Sequence, residues 1–257
     1  MNLEILILLL LASALVLLAL LFLRLGRLHR LIEERDGRLE QRIEREVRGL
    51  FHQLESYSFL RDRLDLRQGL PYSRNWSASP DFLKLIAEHC LEARPSVILE
   101  CSSGLTTLVL ARCCQLNGQG RVYSLENGEE FAVTTRGHLH RYGLDEYATV
   151  LHAPLEGHRV NGRDFSWYAL SGIPDQTIDM LVIDGPPGFI QRHSRYPALP
   201  LLFGRLSGSC AIFLDDAARQ DEREIVESWK KEFPAIRHEF IRTERGCSLL
   251  RRGPVRD

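Results

Sequence analysis

Several patterns that would assign a chain quickly are absent from this sequence. No C-x-x-C pair occurs among its six cysteines, so neither a zinc ribbon nor a disulfide framework is indicated. The net charge of −1 gives no reason to expect nucleic-acid binding, and a hydrophobic fraction of 44% excludes collagen and low-complexity disorder. The motifs Gly-x-Gly-x-x-Gly and Gly-Lys-Ser/Thr are also missing, which disfavours an NAD-dependent oxidoreductase and a Walker A loop.

Charge is missing from the whole stretch between Ile5 and Leu23, where only Ser13 is polar. As a helix this stretch would span about 28 Å, close to the hydrocarbon core of a bilayer. The sequence therefore predicts a transmembrane anchor over residues 1–23. A cleaved signal peptide is the main alternative, although no Lys or Arg precedes the apolar run and no Ala-x-Ala site ends it. A buried core helix is the other alternative, but such helices are rarely so uniformly apolar.

The residues that follow the apolar run are strongly charged. Arginines stand at positions 24, 27 and 30, so the positive-inside rule predicts a single-pass protein whose following domain faces the cytoplasm. Residues 24–68 form a predicted helical connector without proline, in which apolar side chains recur at helical spacing. These side chains are Leu28, Leu31, Ile32, Leu39, Ile43, Val47, Leu50 and Leu54. Two interpretations remain open: a parallel coiled coil over residues 24–67 that forms a homodimer, or a solvated helix packed on its own domain or on the membrane.

Residues 69–257 have the pattern of a separate α/β domain. Short β-rich runs alternate with helical segments, and the runs are 96–100, 121–126, 148–152, 178–184 and 209–216. This alternation predicts a Rossmann-like, doubly wound, mostly parallel sheet. Two later runs, 238–243 and 247–251, are close enough in sequence to form an antiparallel hairpin at one edge of a seven-stranded sheet.

Acidic residues stand at the ends of four predicted strands. They are Glu100, Glu126, Asp184 and the pair Asp215-Asp216. In an open α/β sheet, ligands bind beyond the carboxyl ends of the strands, so these acids are expected to share one crevice. Any one of them alone would more commonly be a solvated loop residue, and the Asp pair could cap a helix. An acid after the second strand suits ribose hydroxyls, and an acid after the first suits an amino group, so the two favour an amino-acid-bearing nucleoside over a dinucleotide.

The order of these motifs resembles a known family. E-C-S-S-G-L-T-T, V-Y-S-L-E, H-A-P-L, V-I-D-G-P-P-G and F-L-D-D together look like a class I S-adenosylmethionine-dependent methyltransferase over about residues 75–252. Within that class the chain is most similar to the small-molecule, cation-dependent O-methyltransferases. The resemblance implies that the methionine part of S-adenosylmethionine is lined by Glu100, Ser102, Ser103 and Gly104. It further implies that Glu126 holds the ribose and that Asn127, Ala153 and Pro154 lie near the adenine.

The same resemblance implies a metal site. Asp184, Asp215 and Asp216 stand where cation-dependent O-methyltransferases hold a divalent ion, and hard oxygen ligands suit Mg²⁺ or Mn²⁺. The sequence departs from that family in two ways. Asp216 stands where the family usually has Asn, and the Lys that commonly serves as base after the fourth strand is missing. Asp184 remains a candidate catalytic residue, and His193 is the candidate replacement for the general base.

The sequence as a whole predicts a membrane-anchored methyltransferase that transfers a methyl group to oxygen. Its expected acceptor is a small molecule or a lipid-linked envelope or glycan precursor. The basic run from Arg192 to Tyr196 could face an anionic acceptor, as could the aromatic residues Trp76, Trp167 and Tyr168 with Ser77, although each is as readily explained by packing. The alternative function is a non-catalytic membrane scaffold with a degenerate ligand-binding domain, and the intact strand-end acids argue against it.

Overall fold

The computed structural model describes residues 3–71 and 78–252. Its chain divides into two compact units, Met1–Phe51 and His52–Asp257. Trp76 and Ser77, predicted as possible acceptor contacts, lie outside the described residues.

The first element is one uninterrupted helix, α1, over Leu3–Arg63. Leucine and alanine favour helix and no proline breaks the run, as the sequence suggested. Within the described residues this is the one helix long and apolar enough to cross a membrane, and its apolar stretch is not buried. The apolar side chains of the connector, Leu28 to Leu54, are exposed as well.

A seven-stranded sheet forms the centre of the second unit, with strand order β3-β2-β1-β6-β7-β9-β8. Its strands are β1 Val97–Cys101, β2 Arg121–Glu126, β3 Ala148–His152, β6 Ile178–Ile183, β7 Leu206–Leu214, β8 Ile236–Ile241 and β9 Cys247–Arg252. The first five strands in that order run parallel to one another. At one edge of the sheet, β9 pairs antiparallel with β7 and with β8. The predicted doubly wound fold with an antiparallel edge hairpin is confirmed.

Helices cover both faces of the sheet. They are α2 Pro80–Ala93, α3 Leu105–Asn117, α4 Glu129–Arg141, α5 Ala198–Leu202 and α6 Gln220–Glu232, with a 3₁₀ turn at Phe203–Arg205. Successive residues of β1 belong to different hydrophobic clusters: Ile98 packs with α2 and α3, and Leu99 packs with Trp167, Tyr196 and Trp229. Both faces are thus covered, which explains the nearly continuous hydrophobic strands. All six cysteines are buried and none forms a disulfide.

A second, two-stranded sheet lies between β3 and β6 in the chain and was missed by the sequence analysis. It consists of β4 Leu155–Val160 and β5 Arg163–Tyr168, paired antiparallel. The turn residues Asn161 and Gly162 have φ values of 49° and 78°, the left-handed conformation that a tight two-residue hairpin turn requires. An Asn-Gly pair is a strong short-range hairpin signal, so this element was readable from the sequence.

Candidate functional site

The loop between β1 and α3 adopts a backbone conformation that only a few residue types tolerate. Ser102 has a φ of 97° and Gly104 a φ of 154°. Gly104 is the N-cap of α3, and its amide donates a hydrogen bond to the Thr107 hydroxyl at 3.0 Å. The loop therefore turns sharply at the carboxyl end of the central strand, where an open α/β sheet binds ligands.

Glu100 precedes this loop and is completely buried. Its carboxylate accepts hydrogen bonds from the hydroxyls of Thr106, Thr107 (2.6 Å) and Ser124 (2.8 Å). Burial raises the pKa of Glu100 to about 7, although the three hydroxyls oppose that rise. Glu100 thus ties the start of α3 to β1 and β2, while its predicted contact with the methionine part of a cofactor stays a prediction.

Glu126 joins the loop to the next strand end. One carboxylate oxygen accepts hydrogen bonds from the Ser103 amide at 3.0 Å and the Ser103 hydroxyl at 2.9 Å. The other accepts one from the Gly128 amide at 2.9 Å. The acid predicted to hold a ribose and the loop predicted to hold a methionine are therefore in direct contact.

The residues predicted near an adenine lie at the same edge. Asn127 directly follows β2 and is half-buried. The amide of the buried Ala153 donates to the Glu126 carbonyl at 2.7 Å, and Pro154 is exposed while its carbonyl accepts from the Ala169 amide at 3.0 Å. The structure thus places these residues at the same end of the sheet as the loop between β1 and α3. Their contact with an adenine stays a prediction.

The acids after β6 and β7 form a tight cluster. Carboxylate oxygens of Asp184, Asp215 and Asp216 all lie within 4.8 Å of one another. Asp215 is fully buried, and neither of its oxygens has a hydrogen-bond partner in the part of the chain that the structure describes. Burial, together with repulsion between the acids, raises the pKa values of Asp184 and Asp215 above their usual range.

A buried arginine enters the acid cluster. Arg195 donates to the carboxylates of Asp184 at 3.2 Å and Asp216 at 2.8 Å, and to the backbone carbonyls of Asp184 and Asp215 at 2.7 and 2.8 Å. Arg219 also contacts Asp216, at 2.9 Å. Of the two interpretations that the sequence left open for Arg195, contact with an acceptor or packing, the structure supports packing, because its guanidinium connects the ends of β6 and β7. Tyr196, from the same run, is buried in the core.

His193, the candidate general base, belongs to a different cluster. Its Nε2 atom lies 2.6 Å from the carboxylate of Glu224 on α6, and its amide donates to Asp221 at 3.1 Å. Hydrogen bonds from Gln220, His193 and Arg192 lower the pKa of Glu224 to about 2. Among the described residues no contact joins the His193 ring to Asp184, so a base role for His193 stays a prediction.

The acid cluster fits a divalent cation by its chemistry. Among the described residues, both carboxylate oxygens of Asp215 and one of Asp216 are buried without a hydrogen-bond partner, and carboxylate oxygens are the ligands that Mg²⁺ and Mn²⁺ prefer. Asp216 also pairs with three arginines, Arg195, Arg219 and Arg245, so Asp184 and Asp215 contribute most to that fit. The loop between β1 and α3 likewise fits S-adenosylmethionine. It turns sharply at Gly104 and is hydrogen-bonded to Glu126, the acid at the end of β2.

Comparisons with known proteins agree with this geometry. Residues 99–217 match a family model described as a methyltransferase domain. No curated protein sequence is significantly similar to the chain.

Solved structures share the fold at low sequence identity. An O-methyltransferase from Bacillus cereus in complex with S-adenosylhomocysteine is 17% identical, with a TM-score of 0.54 over 77% of this chain and 90% of that one. The methyltransferase PaMTH1 from Podospora anserina, also bound to S-adenosylhomocysteine, is 14% identical, with a TM-score of 0.55 over 79% and 88%. The O-methyltransferase TomG from Streptomyces achromogenes, in complex with S-adenosylmethionine, is 15% identical, with a TM-score of 0.53 over 79% and 89%.

Fold, strand-end acids and family model together define an S-adenosylmethionine-dependent methyltransferase domain of class I. The predicted resemblance is thereby confirmed. Within that class the fold is the one found in small-molecule O-methyltransferases.

Proposed function

We propose that this domain transfers the methyl group of S-adenosylmethionine to an oxygen atom of a small or lipid-linked acceptor. The observation that carries the proposal is the convergence of two sites at one edge of the sheet. The loop held by Glu126 lies at the ends of β1 and β2, and the acid cluster lies at the ends of the neighbouring strands β6 and β7. A methyl donor at the first site would face acids at the second.

In the proposed reaction an O–CH₃ bond forms while the S–CH₃ bond of the sulfonium breaks. The products are a methyl ether or ester and S-adenosylhomocysteine, and an acceptor hydroxyl gives up its proton. Asp184 is the proposed proton acceptor, because its carboxylate is half-buried and it is the acid of the cluster that follows β6, the strand next to β1. Arg195 keeps Asp184 in place through both its carboxylate and its carbonyl.

Asp184, Asp215 and Asp216 would hold Mg²⁺ or Mn²⁺ in this proposal. Such an ion would lower the pKa of an acceptor hydroxyl and orient its oxygen. A Mn²⁺ titration followed by thermal unfolding tests this part: wild type should be stabilised by the ion, and Asp215→Asn should respond much less. Equal responses of the two proteins would remove the ion from the proposal.

We also propose that α1 anchors the protein in a membrane, with the methyltransferase domain on the cytoplasmic side. The uncharged stretch up to Leu23 and the arginines that follow it support this orientation. A membrane location favours a lipid-linked envelope or glycan precursor as the acceptor. The exposed apolar stripe from Leu28 to Leu54 supports pairing of two chains through the connector.

Calorimetric titration with S-adenosylhomocysteine tests cofactor use without knowledge of the acceptor. Glu126→Gln should lower the affinity roughly 10- to 100-fold, because a carboxylate that accepts several hydrogen bonds becomes a neutral amide. Asp179→Asn is the matched control. Asp179 accepts hydrogen bonds from the amides of Ser96 and Val97, at the opposite end of the strands from the candidate site. The affinity of Asp179→Asn for S-adenosylhomocysteine should therefore equal that of wild type. Absence of binding by folded wild type would refute the function.

Transfer of a labelled methyl group to cell-envelope extracts then identifies the acceptor. Asp184→Asn should lose transfer while it still binds S-adenosylhomocysteine. Unchanged transfer in that variant would contradict the role proposed for Asp184.

A further inference from the structure

Tyr168 ends β5, in the hairpin between β3 and β6, and its hydroxyl has an unusual environment. The side chain is completely buried, yet the hydroxyl has no hydrogen-bond partner anywhere in residues 3–71 and 78–252. Native proteins rarely leave a buried hydroxyl without a partner, because its desolvation is then uncompensated. A partner that is not part of the protein chain would account for it.

The hydroxyl lies where the loop between β1 and α3 approaches the end of β6. A Cβ atom at residue 185 would collide with the Tyr168 oxygen, and it would also lie 3.0 Å from the Cβ of Ser102. Glycine at position 185 therefore leaves room for this hydroxyl. Because both atoms approach the same point, the Tyr168 hydroxyl is a near neighbour of Ser102, the first residue of the loop.

The groups around Tyr168 keep its hydroxyl protonated. Burial raises its pKa most, and the nearby Cys101, Glu126 and Asp184 raise it further, whereas Arg195 opposes the rise. The hydroxyl therefore has a proton to donate and does not act as a base. A negatively charged acceptor would compensate its burial best, because hydrogen bonds to an ionised group are the stronger ones.

We propose that the Tyr168 hydroxyl donates a hydrogen bond to the methionine carboxylate of S-adenosylmethionine. The carboxylate is the one acceptor group at that end of the cofactor, because the ammonium and the sulfonium are both cationic. Tyr168 lies beside Ser102, in the loop to which the family resemblance assigns the methionine part. The hairpin would thus supply a cofactor-binding residue from outside the loop and strand-end motifs. This inference rests on the proposed use of S-adenosylmethionine.

Tyr168→Phe in the full chain, kept in detergent micelles, removes only the oxygen atom. The free protein should unfold at the same or a slightly higher denaturant concentration, because a buried hydroxyl without a partner is gone. The affinity for S-adenosylhomocysteine should fall about tenfold, as expected for a lost hydrogen bond to a charged group. The affinity for 5′-methylthioadenosine, which keeps the adenosine and the sulfur but lacks the amino acid, should not change.

Tyr142→Phe is the matched control. The Tyr142 hydroxyl donates to the Gly69 carbonyl at 2.8 Å, so its removal should lower stability and leave both affinities unchanged. Equal binding of S-adenosylhomocysteine by wild type and Tyr168→Phe would overturn the inference. An equal loss for both ligands would overturn it too, because the contact would not involve the amino-acid end. Wild type that binds neither ligand would instead refute the proposed function itself.

Discussion

At the scale of single residues, Glu100 makes the stability of the domain depend on pH. Its pKa is raised to about 7 by burial, so the folded state binds the proton more tightly than the unfolded state does. The stabilising contribution is complete below about pH 4.5 and is lost as the pH rises through about 7. The free energy of unfolding should therefore fall by about 3 kcal/mol between pH 5 and pH 8 on account of this residue.

Glu100→Gln should remove this part of the pH dependence. Urea unfolding of both proteins between pH 5 and pH 8 measures it. Glu129→Gln, at an exposed position at the start of α4, should keep the wild-type slope. A slope in Glu100→Gln equal to that of wild type would show that the pKa of Glu100 is not raised in the folded state.

Arg195 is the other residue on which stability is expected to depend strongly. Its removal takes a buried countercharge from the half-buried Asp184 and from the buried Asp216, which keeps Arg219, and breaking a buried ion pair costs about 3–5 kcal/mol. Arg195→Met should therefore lower the free energy of unfolding by about that amount at pH 8, and by less at pH 5, where the acids can take up protons.

Arg192→Met is the comparison variant for Arg195. Arg192 is exposed and contacts only Glu224 among the acids whose ion pairs the structure describes, so its loss should change stability little at either pH. An equally small effect of Arg195→Met would mean that the cluster is not held by the guanidinium.

At the scale of elements, the parallel strands were predictable because each is a buried hydrophobic run. The predicted ends at residues 126 and 152 coincide with those of β2 and β3, and the other three parallel strands end within two residues of their predictions. The β4–β5 hairpin was missed because its exposed residues dilute the alternating pattern, although Asn161-Gly162 marked the turn. At the candidate site, the strand-end acids were found in the sequence, but the position of Arg195 depends on packing that its local sequence does not encode.

The β4–β5 hairpin should be sensitive to substitution at only one of its two glycines. Gly162 has a φ of 78°, so Gly162→Ala should cost about 1 kcal/mol and increase hydrogen exchange in β4 and β5. Gly157 lies in β4 with open space around it and no positive φ, so Gly157→Ala should have neither effect. Equal exchange in the two variants would contradict the turn conformation.

At the scale of the whole molecule, membrane attachment through the uncharged stretch and cofactor binding by the α/β domain should be separable. A chain that begins at Arg24 should leave the membrane fraction of expressing cells and still bind S-adenosylhomocysteine with the affinity of the full chain. Fractionation followed by titration measures both. Retention in the membrane fraction would mean that the uncharged stretch is not the anchor. A loss of affinity for S-adenosylhomocysteine would mean that the candidate site depends on residues 1–23.

The burial of all six cysteines has a practical consequence for work on this protein. None of the native thiols is accessible to a bulky reagent in the folded state. A single cysteine introduced at the exposed position Lys231 would therefore be the only site that a maleimide dye labels. In sealed vesicles, labelling by a membrane-impermeant dye would report directly on which side of the bilayer the domain lies, with no need to delete any native cysteine.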